Sequence, residues 1–346
     1  MGENTNVTAA LAVVDEDYYT LRPDGSLVTQ STAAFAIAET LERLDVRPGA
    51  RVLEVGTGSG FSGALLSELV GPTGRVVSVD VVAELGERAR ELHTSQGRTN
   101  IDLFTGDGAL GAPGYGEFDR IVAWTTPRLL PEAWVEQAVP GAVVLTPVEL
   151  APSVRTAAIL RARVDSGRGV EGLDLVAGRY VEMHAEELGQ WSVPPRGVDA
   201  RVGEEGRELW VSALWAERDG AAAGRMLKVL VECGTTRTRV LEPEESAVDL
   251  VAYLYARYPE DLSVLGLGGP DWGEGHADEN GAAVFTAAND GCVVHGGSPR
   301  VFERIQGWVN EWRGAGRPGY ADLRPVLTRV DGGWRVRAEF EGDSGS

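Results

Sequence analysis

The sequence predicts an α/β protein: a doubly wound, largely parallel sheet followed by a smaller α+β unit. Three observations carry this. Apolar runs of strand length recur at 51–55, 76–80, 101–105, 118–124 and 142–146, with helix-patterned segments between them. Several of these runs end in glycine-rich or acidic turns, as strands feeding helices do. Beyond about residue 150 the alternation gives way to a different pattern, and 346 residues leave room for two units of ordinary domain size. The chain divides into a short N-terminal segment (1–30), the sheet domain (31–155), the α+β extension (156–340) and a disordered tail (341–346).

In order along the chain, residues 1–30 are polar and weakly periodic, with an acidic knot at Asp15-Glu16-Asp17 and a turn at Arg22-Pro23-Asp24-Gly25. Ser31-Thr32 stands where it can cap a helix over 33–44, with Phe35, Ala38, Leu41 and Leu44 as its apolar stripe. Arg47-Pro48-Gly49 stops that helix before the first strand. A helix over 61–69 follows, then a charged, exposed helix over 84–93. Segment 157–164 reads as a strand of a different sheet, and 268–281, rich in glycine, as an ordered loop or a mobile flap. Ser298 as N-cap and Pro299 at the first position open a helix with Val301, Ile305, Trp308 and Trp312 on one face. Segments 323–330 and 334–340 flank Asp331-Gly332-Gly333 as a hairpin. The tryptophans of this half (Trp191, Trp210, Trp215, Trp272, Trp308, Trp312, Trp334) are expected as core anchors rather than a ligand box.

The chemistry concentrates where the first strand ends. Gly56, Gly58 and Gly60 alternate in a strand-to-helix turn, where a missing Cβ lets the backbone close on a ligand. A tight turn with no ligand is the alternative in a chain with 45 glycines. Asp80 ends the next strand about twenty residues on, where an acid accepts hydrogen bonds from a ribose diol. The dinucleotide fingerprint G-x-G-x-x-G is not matched; instead Glu54 stands two residues before the first glycine. In S-adenosylmethionine (SAM) sites the glycine turn faces the amino-acid end of the cofactor, and an acid there suits its ammonium group. Glu54, Gly56, Thr57, Gly58, Gly60, Asp80 and Val81 are therefore candidate SAM ligands, with S-adenosylhomocysteine as product. Gly106, Asp107 and Gly108 follow the third strand, Asp107 being suited to an adenine amino group or to an N-cap. Trp124 and Thr125, past the fourth strand, lie where an acceptor would face the sulfonium, or are ordinary loop packing. All of these fall beyond the strands' carboxyl ends, where such folds bind ligands.

Other chemistries are set aside by what is missing. The four histidines and the cysteines Cys233 and Cys292 share no ligand spacing, so no metal site is expected. No apolar run is long enough to span a membrane and no secretory signal opens the chain, so a cytoplasmic protein is expected. The formal net charge is −20, and Lys228 is the single lysine among 32 basic residues. Such a field repels nucleic-acid phosphate and favours a cationic partner, unless it serves solubility alone. A monomer is expected.

Read together, residues about 26–150 resemble the protein-L-isoaspartate O-methyltransferase family of SAM-dependent enzymes. The resemblance rests on the run from Leu44 to Phe61 through Arg47-Pro48-Gly49 and the glycine turn, on Gly106-Asp107-Gly108, and on Pro131-Glu132-Ala133-Trp134-Val135-Glu136-Gln137. It implies a Rossmann-like class I methyltransferase domain. In that family a Ser in a Ser-(Ala/Gln)-Pro loop holds the substrate carboxylate. Counted without gaps from Arg51, Thr32 takes that place with Ala33-Ala34 after it, and Ser31 is the neighbouring candidate. The family's repair enzymes carry a longer N-terminal helical segment and end soon after the sheet, whereas this chain continues for roughly two hundred residues. That extension is similar to one on homologues that mature ribosomally made peptides, at Gly297-Ser298-Pro299, Gly316-Arg317-Pro318-Gly319 and Val330-Asp331-Gly332-Gly333-Trp334. In that group an encoded Asp is methylated and the ester collapses to a succinimide (aspartimide). The resemblance thus implies a carboxyl O-methyltransferase acting on a precursor peptide, which the charge predicts to be rich in Arg or Lys. An isoaspartyl repair enzyme with an added domain and a non-catalytic SAM- or peptide-binding protein are the other readings. A carboxylate with a pKa of about 3.9 is already ionised at neutral pH, so its methylation needs no general base.

Overall fold

The computed structural model describes residues 5–29, 31–187, 195–204, 206–288 and 290–340. The expected tail and Trp191 lie outside them. The N-terminal segment is more ordered than its weak periodicity predicts. It forms helices α1 (Thr5–Val13) and α2 (Glu16–Thr20), the second capped by the Asp15 carboxylate accepting from the Asp17 N–H at 3.1 Å. Val7, Ala10, Val14 and Tyr19 are buried with Phe61 and Leu65 of a later helix, so tertiary packing supplies what the amphipathic pattern lacks.

Helix α3 (Ala34–Leu44) starts later than expected, and its N-cap is Ala33, with no side-chain cap. Ser31-Thr32 therefore does not cap it. Ile37, Thr40, Leu41 and Leu44 face the core, while Phe35 is 77% exposed, which corrects its place in the expected stripe. Strand β1 (Arg51–Val55) then leads to α4 (Phe61–Val70), β2 (Arg75–Asp80), α5 (Ala83–Ser95) and β3 (Ile101–Thr105). Strand β4 (Phe118–Ala123) is followed by short β5 (Thr125–Thr126) and β6 (Leu130–Pro131), α6 (Glu132–Glu136) and β7 (Ala138–Glu149). Strands β8 (Ala157–Val164) and β9 (Val170–Ala177) complete a seven-stranded sheet of order β3-β2-β1-β4-β7-β8-β9. The first five strands are parallel, and β8 and β9 are antiparallel additions. Segment 157–164 thus belongs to this sheet and not to a second one: Val144 pairs with Ala162 and Pro147 with Ile159. The order reverses between β1 and β4, which opens the ligand crevice at their carboxyl ends.

Short β10 (Val181–Glu182) pairs with β5, and from residue 200 a second sheet is built entirely of antiparallel neighbours. Its order is β11 (Ala200–Val202), β12 (Leu209–Ala213), β14 (Ser263–Leu267), β15 (Trp272–Asp278), β16 (Gly281–Thr286), β17 (Cys292–Gly297) and β13 (Thr236–Arg239). Helices α7 (Leu214–Arg218), α8 (Gly220–Cys233), α9 (Ala247–Arg257) and α10 (Pro299–Gly314) accompany it. The expected flap over 268–281 is in large part the central strand β15. Its glycines are there for strand packing: a Cβ on Gly273 would stand 2.2 Å from the Phe285 carbonyl oxygen. Helix α10 has the Ser298 cap and buries Val301, Ile305, Trp308 and Trp312. The hairpin of β18 (Leu323–Val330) and β19 (Gly333–Phe340) turns back to pair with β6, Trp334 lying opposite Leu130. One continuous apolar cluster runs from Leu53 and Val144 of the first sheet to Trp308, Trp312 and Phe340.

Candidate active site

Beyond the carboxyl ends of β1, β2 and β4 lies a cavity of about 700 Å³. Gly56, Thr57, Gly58, Asp80, Val81, Gly108, Trp124 and Thr125 line it, together with Ser31 and Thr32 from the segment before α3. Gly56 has φ +93°, a backbone conformation that L side chains rarely adopt, although a Cβ there would meet Trp124 and Thr125 only at ordinary contact distances of 3.4 and 3.5 Å. The chain can turn here only without a side chain. Asp80 is held by two turns: Oδ2 accepts from the Gly58 N–H of the glycine turn at 3.0 Å and Oδ1 from the Val82 N–H of its own turn at 2.9 Å. Each oxygen keeps lone-pair capacity toward the cavity.

Four expected ligands stand elsewhere. Glu54 is fully buried behind the turn and does not line the cavity. Oε1 accepts from Ser62 Oγ at 2.5 Å and Trp124 Nε1 at 3.0 Å, and Oε2 from Ser78 Oγ at 2.7 Å. Burial lifts its pKa while the three donors pull the other way. A strand position two residues before the turn points into the sheet's own packing, so Glu54 braces the site from behind and does not meet an ammonium group. Gly60 is also off the cavity; its absent Cβ makes room for Ala89, which would otherwise lie 3.0 Å away on α5. Asp107 caps the short helical turn Gly108–Leu110 by accepting from the Ala109 N–H at 2.9 Å. Asp107 lines a neighbouring hollow with Arg128 and Met183, and Gly106 lines neither cavity.

The opposite wall was not visible in the sequence. Pairing of β10 with β5, reinforced by Thr126 Oγ1 donating to the Tyr180 carbonyl at 2.9 Å, swings residues 180–186 over the crevice. Glu149 comes from the end of β7, Arg155 from the β7–β8 turn, Arg179 from the segment after β9, and Trp272 from the second sheet. Burial raises the Glu149 pKa to about 7, with Arg128 at 3.4 Å opposing the shift. Arg179 donates to Glu274 at 2.7 Å and to the Arg155 carbonyl at 2.9 Å, and its guanidinium lies 4.2 Å from the Trp272 ring centre. No local motif marks these residues, because each owes its place to a separate strand end.

Two hydroxyls on the cavity are buried without a hydrogen-bond partner, Ser31 Oγ and Thr125 Oγ1. Buried hydroxyls are ordinarily satisfied, so these two call for a ligand. The glycine cradle and Asp80 fit a cofactor carrying a ribose at one end and an amino-acid group at the other, and the two open hydroxyls fit a polar group seated beside it. Among the described residues no cluster of metal-ligating side chains occurs.

Fold and site together define the Rossmann-like fold of SAM-dependent methyltransferases. A family model described as Protein-L-isoaspartate(D-aspartate) O-methyltransferase (PCMT) matches residues 14–186, half of the chain, and the chain belongs to that family. Named relatives agree. A protein-L-isoaspartate O-methyltransferase of Ignicoccus hospitalis is 39% identical over 121 residues, which cover 35% of this chain and 57% of the relative. Protein-L-isoaspartate O-methyltransferase 1 of an Anaeromyxobacter species is 40% identical over 153 residues, 43% of this chain and 68% of the relative. The chain spans about half the length of several curated relatives it matches. A solved structure titled protein-L-isoaspartate O-methyltransferase superposes with a TM-score of 0.51 at 17% identity, over 98% of this chain and 96% of its own. The likeness is one of fold, and it includes the extension. The added half, expected to set this chain apart from the repair enzymes, therefore has a counterpart in a structure bearing the family's name.

Proposed function

We propose that this protein is a SAM-dependent carboxyl O-methyltransferase acting on isoaspartyl residues of proteins or peptides. The observation that carries the reading is the pair of unsatisfied hydroxyls, Ser31 Oγ and Thr125 Oγ1, in the same cavity as the glycine cradle and Asp80. SAM supplies a sulfonium-bound methyl group, whose transfer to a carboxylate oxygen gives a methyl ester and S-adenosylhomocysteine. The chain's own part is positioning. Asp80, Gly56 and Gly58 hold the donor at the β1–β2 ends, and Ser31, with Thr32 beside it, orients the acceptor carboxylate. Neutral hydroxyls suit this work, because a cation would stabilise the ground-state anion more than the charge-dispersed transition state. Holding two reactants in line is worth roughly 7–11 kcal/mol. The test is methyl transfer from labelled SAM to an isoaspartyl peptide and to its normal Asp counterpart; transfer to neither sinks the proposal.

A second reading is favoured by the cavity wall that Trp272 brings from outside the matched region. Here the acceptor is an encoded Asp of a precursor peptide, and the ester closes to a succinimide. Its signature is gain of a methyl followed by loss of methanol from normal Asp. For either acceptor, the net charge of −20 supports a polypeptide rich in Arg or Lys. Affinity that barely changes between low and high salt would remove that part.

A further inference from the structure

Arg155 is built into the acceptor side of the cavity in an unusual way. Its guanidinium lies 5.4 Å from the Trp210 ring centre and 5.1 Å from that of Trp272, so two indoles hold the cation. Its backbone is left-handed at φ +66°, a conformation that persists in a non-glycine residue only where the surroundings enforce it. Arg179 supplies part of that enforcement by donating to the Arg155 carbonyl at 2.9 Å. Arg179 is itself neutralised by Glu274, whereas the Arg155 guanidinium makes no hydrogen bond or ion pair with any described residue. Glu182 acts on it only through space. An arginine fork fixed by rings and facing a cavity with its donors unused is suited to a carboxylate.

Sheet order says which carboxylate. The glycine turn and Trp124 mark methyl transfer over β1 and β4, while Arg155 comes from the turn after β7, one or more strands farther out. Strands lie about 4.8 Å apart and an extended chain advances about 3.3 Å per residue, so the anion belongs to a neighbour of the modified residue. We propose that Arg155 anchors the acceptor by binding a second carboxylate within about three residues of the methylated one, either an Asp or Glu side chain or a chain-terminal carboxylate. This rests on the acceptor being a polypeptide, as proposed above. The partial burial that presses on the Arg155 charge makes an arriving anion more welcome.

The experiment is calorimetric binding to the full chain saturated with S-adenosylhomocysteine, using two pairs of isoaspartyl peptides. One pair carries Glu or Gln two residues to either side of the isoaspartate, with blocked ends. The other has no ionisable side chain besides the isoaspartate, has a blocked amino end, and ends two residues beyond it as a free acid or an amide, so that the members of each pair differ by one added carboxylate. The carboxylate-bearing member of at least one pair is expected to bind roughly tenfold tighter, and which pair does so separates a side-chain source from a terminus. Arg155→Gln should abolish the difference, and Arg155→Lys should keep part of it, with S-adenosylhomocysteine affinity unchanged in both. Equal affinities within both pairs for the unaltered protein, no binding of any peptide, or a preference that survives Arg155→Gln overturns the proposal. The unaltered-protein arm needs no variant to fold. Methyl transfer to the same peptides is scored separately: transfer without a carboxylate preference overturns the anchor and leaves carboxyl methylation standing. A preference without transfer supports the anchor and sinks the methylation.

Discussion

On the β1–β2 side of the cavity the carboxylates are occupied by near neighbours. Asp80 takes one backbone N–H of the glycine turn and one of its own turn, and Glu54 takes Ser62, Ser78 and Trp124. On the far side, Ser31 and Thr125 leave buried hydroxyls open, and Arg155 has indoles but no acid in contact. The first wall is finished before any ligand arrives, and the second is finished by one. That contrast fits the proposed division: a donor site that binds one small molecule gains from rigidity, whereas an acceptor site that takes a segment of polypeptide must present unused donors.

The predictions probe that contrast, beginning with the largest effect. Glu54→Ala strips three buried donors of their acceptor and leaves a void, so denaturant unfolding should show a loss of about 3–4 kcal/mol. Unchanged stability with abolished SAM binding would instead put Glu54 at the cofactor and break the contrast. Asp80→Ala removes an acceptor on the cavity as well as a brace for the turn. S-adenosylhomocysteine affinity measured by calorimetry should fall roughly a hundredfold, about 2.7 kcal/mol.

Glu149 tests the pH behaviour of the far wall. Its folded pKa of about 7 lies above its ordinary 4.5, so the folded state retains the proton longer than the unfolded chain. The resulting stabilisation is complete below about pH 4.5 and lost as pH rises through 7, amounting to roughly 3 kcal/mol. Glu149→Gln should therefore melt close to the unaltered protein at pH 5 and higher than it at pH 8; a melting difference independent of pH would count against this. Ser31→Ala should leave S-adenosylhomocysteine affinity alone and slow methyl transfer about tenfold, near 1.4 kcal/mol, with Thr32→Ala run beside it to show which hydroxyl holds the acceptor. Phe35→Ser, on the exposed face of α3, should change stability by less than about 0.5 kcal/mol, and a larger acceptor KM would extend the acceptor wall onto that helix.

How much of this could be read in advance follows from range. The parallel sheet, the glycine turn and Asp80 were legible because each is a local pattern whose chemistry lies within a few residues of itself. Helix α10 was legible for the same reason, its cap, proline and apolar stripe being contiguous. The place of Glu54 is not legible in this way, because residue type and offset leave open which face of a buried strand a side chain takes. The sheet to which segment 157–164 belongs is not legible either, because an antiparallel addition carries no sequence mark distinguishing it from a new sheet. The glycines of β15 read as a loop because close approach by a neighbouring strand and a turn both call for the same residue.

The sequence by itself determined the donor half of this protein: a strand, a turn that only glycine can make, and an acid at the next strand's end, all fixed by backbone sterics within thirty or so residues. Only the tertiary structure decided the acceptor half. Ser31, Thr125, Arg155 and Trp272 come from four separate segments, and what unites them is a strand order, a short β5–β10 pairing and the packing of a second sheet against the first. Those are long-range contacts, and no single stretch of chain encodes them.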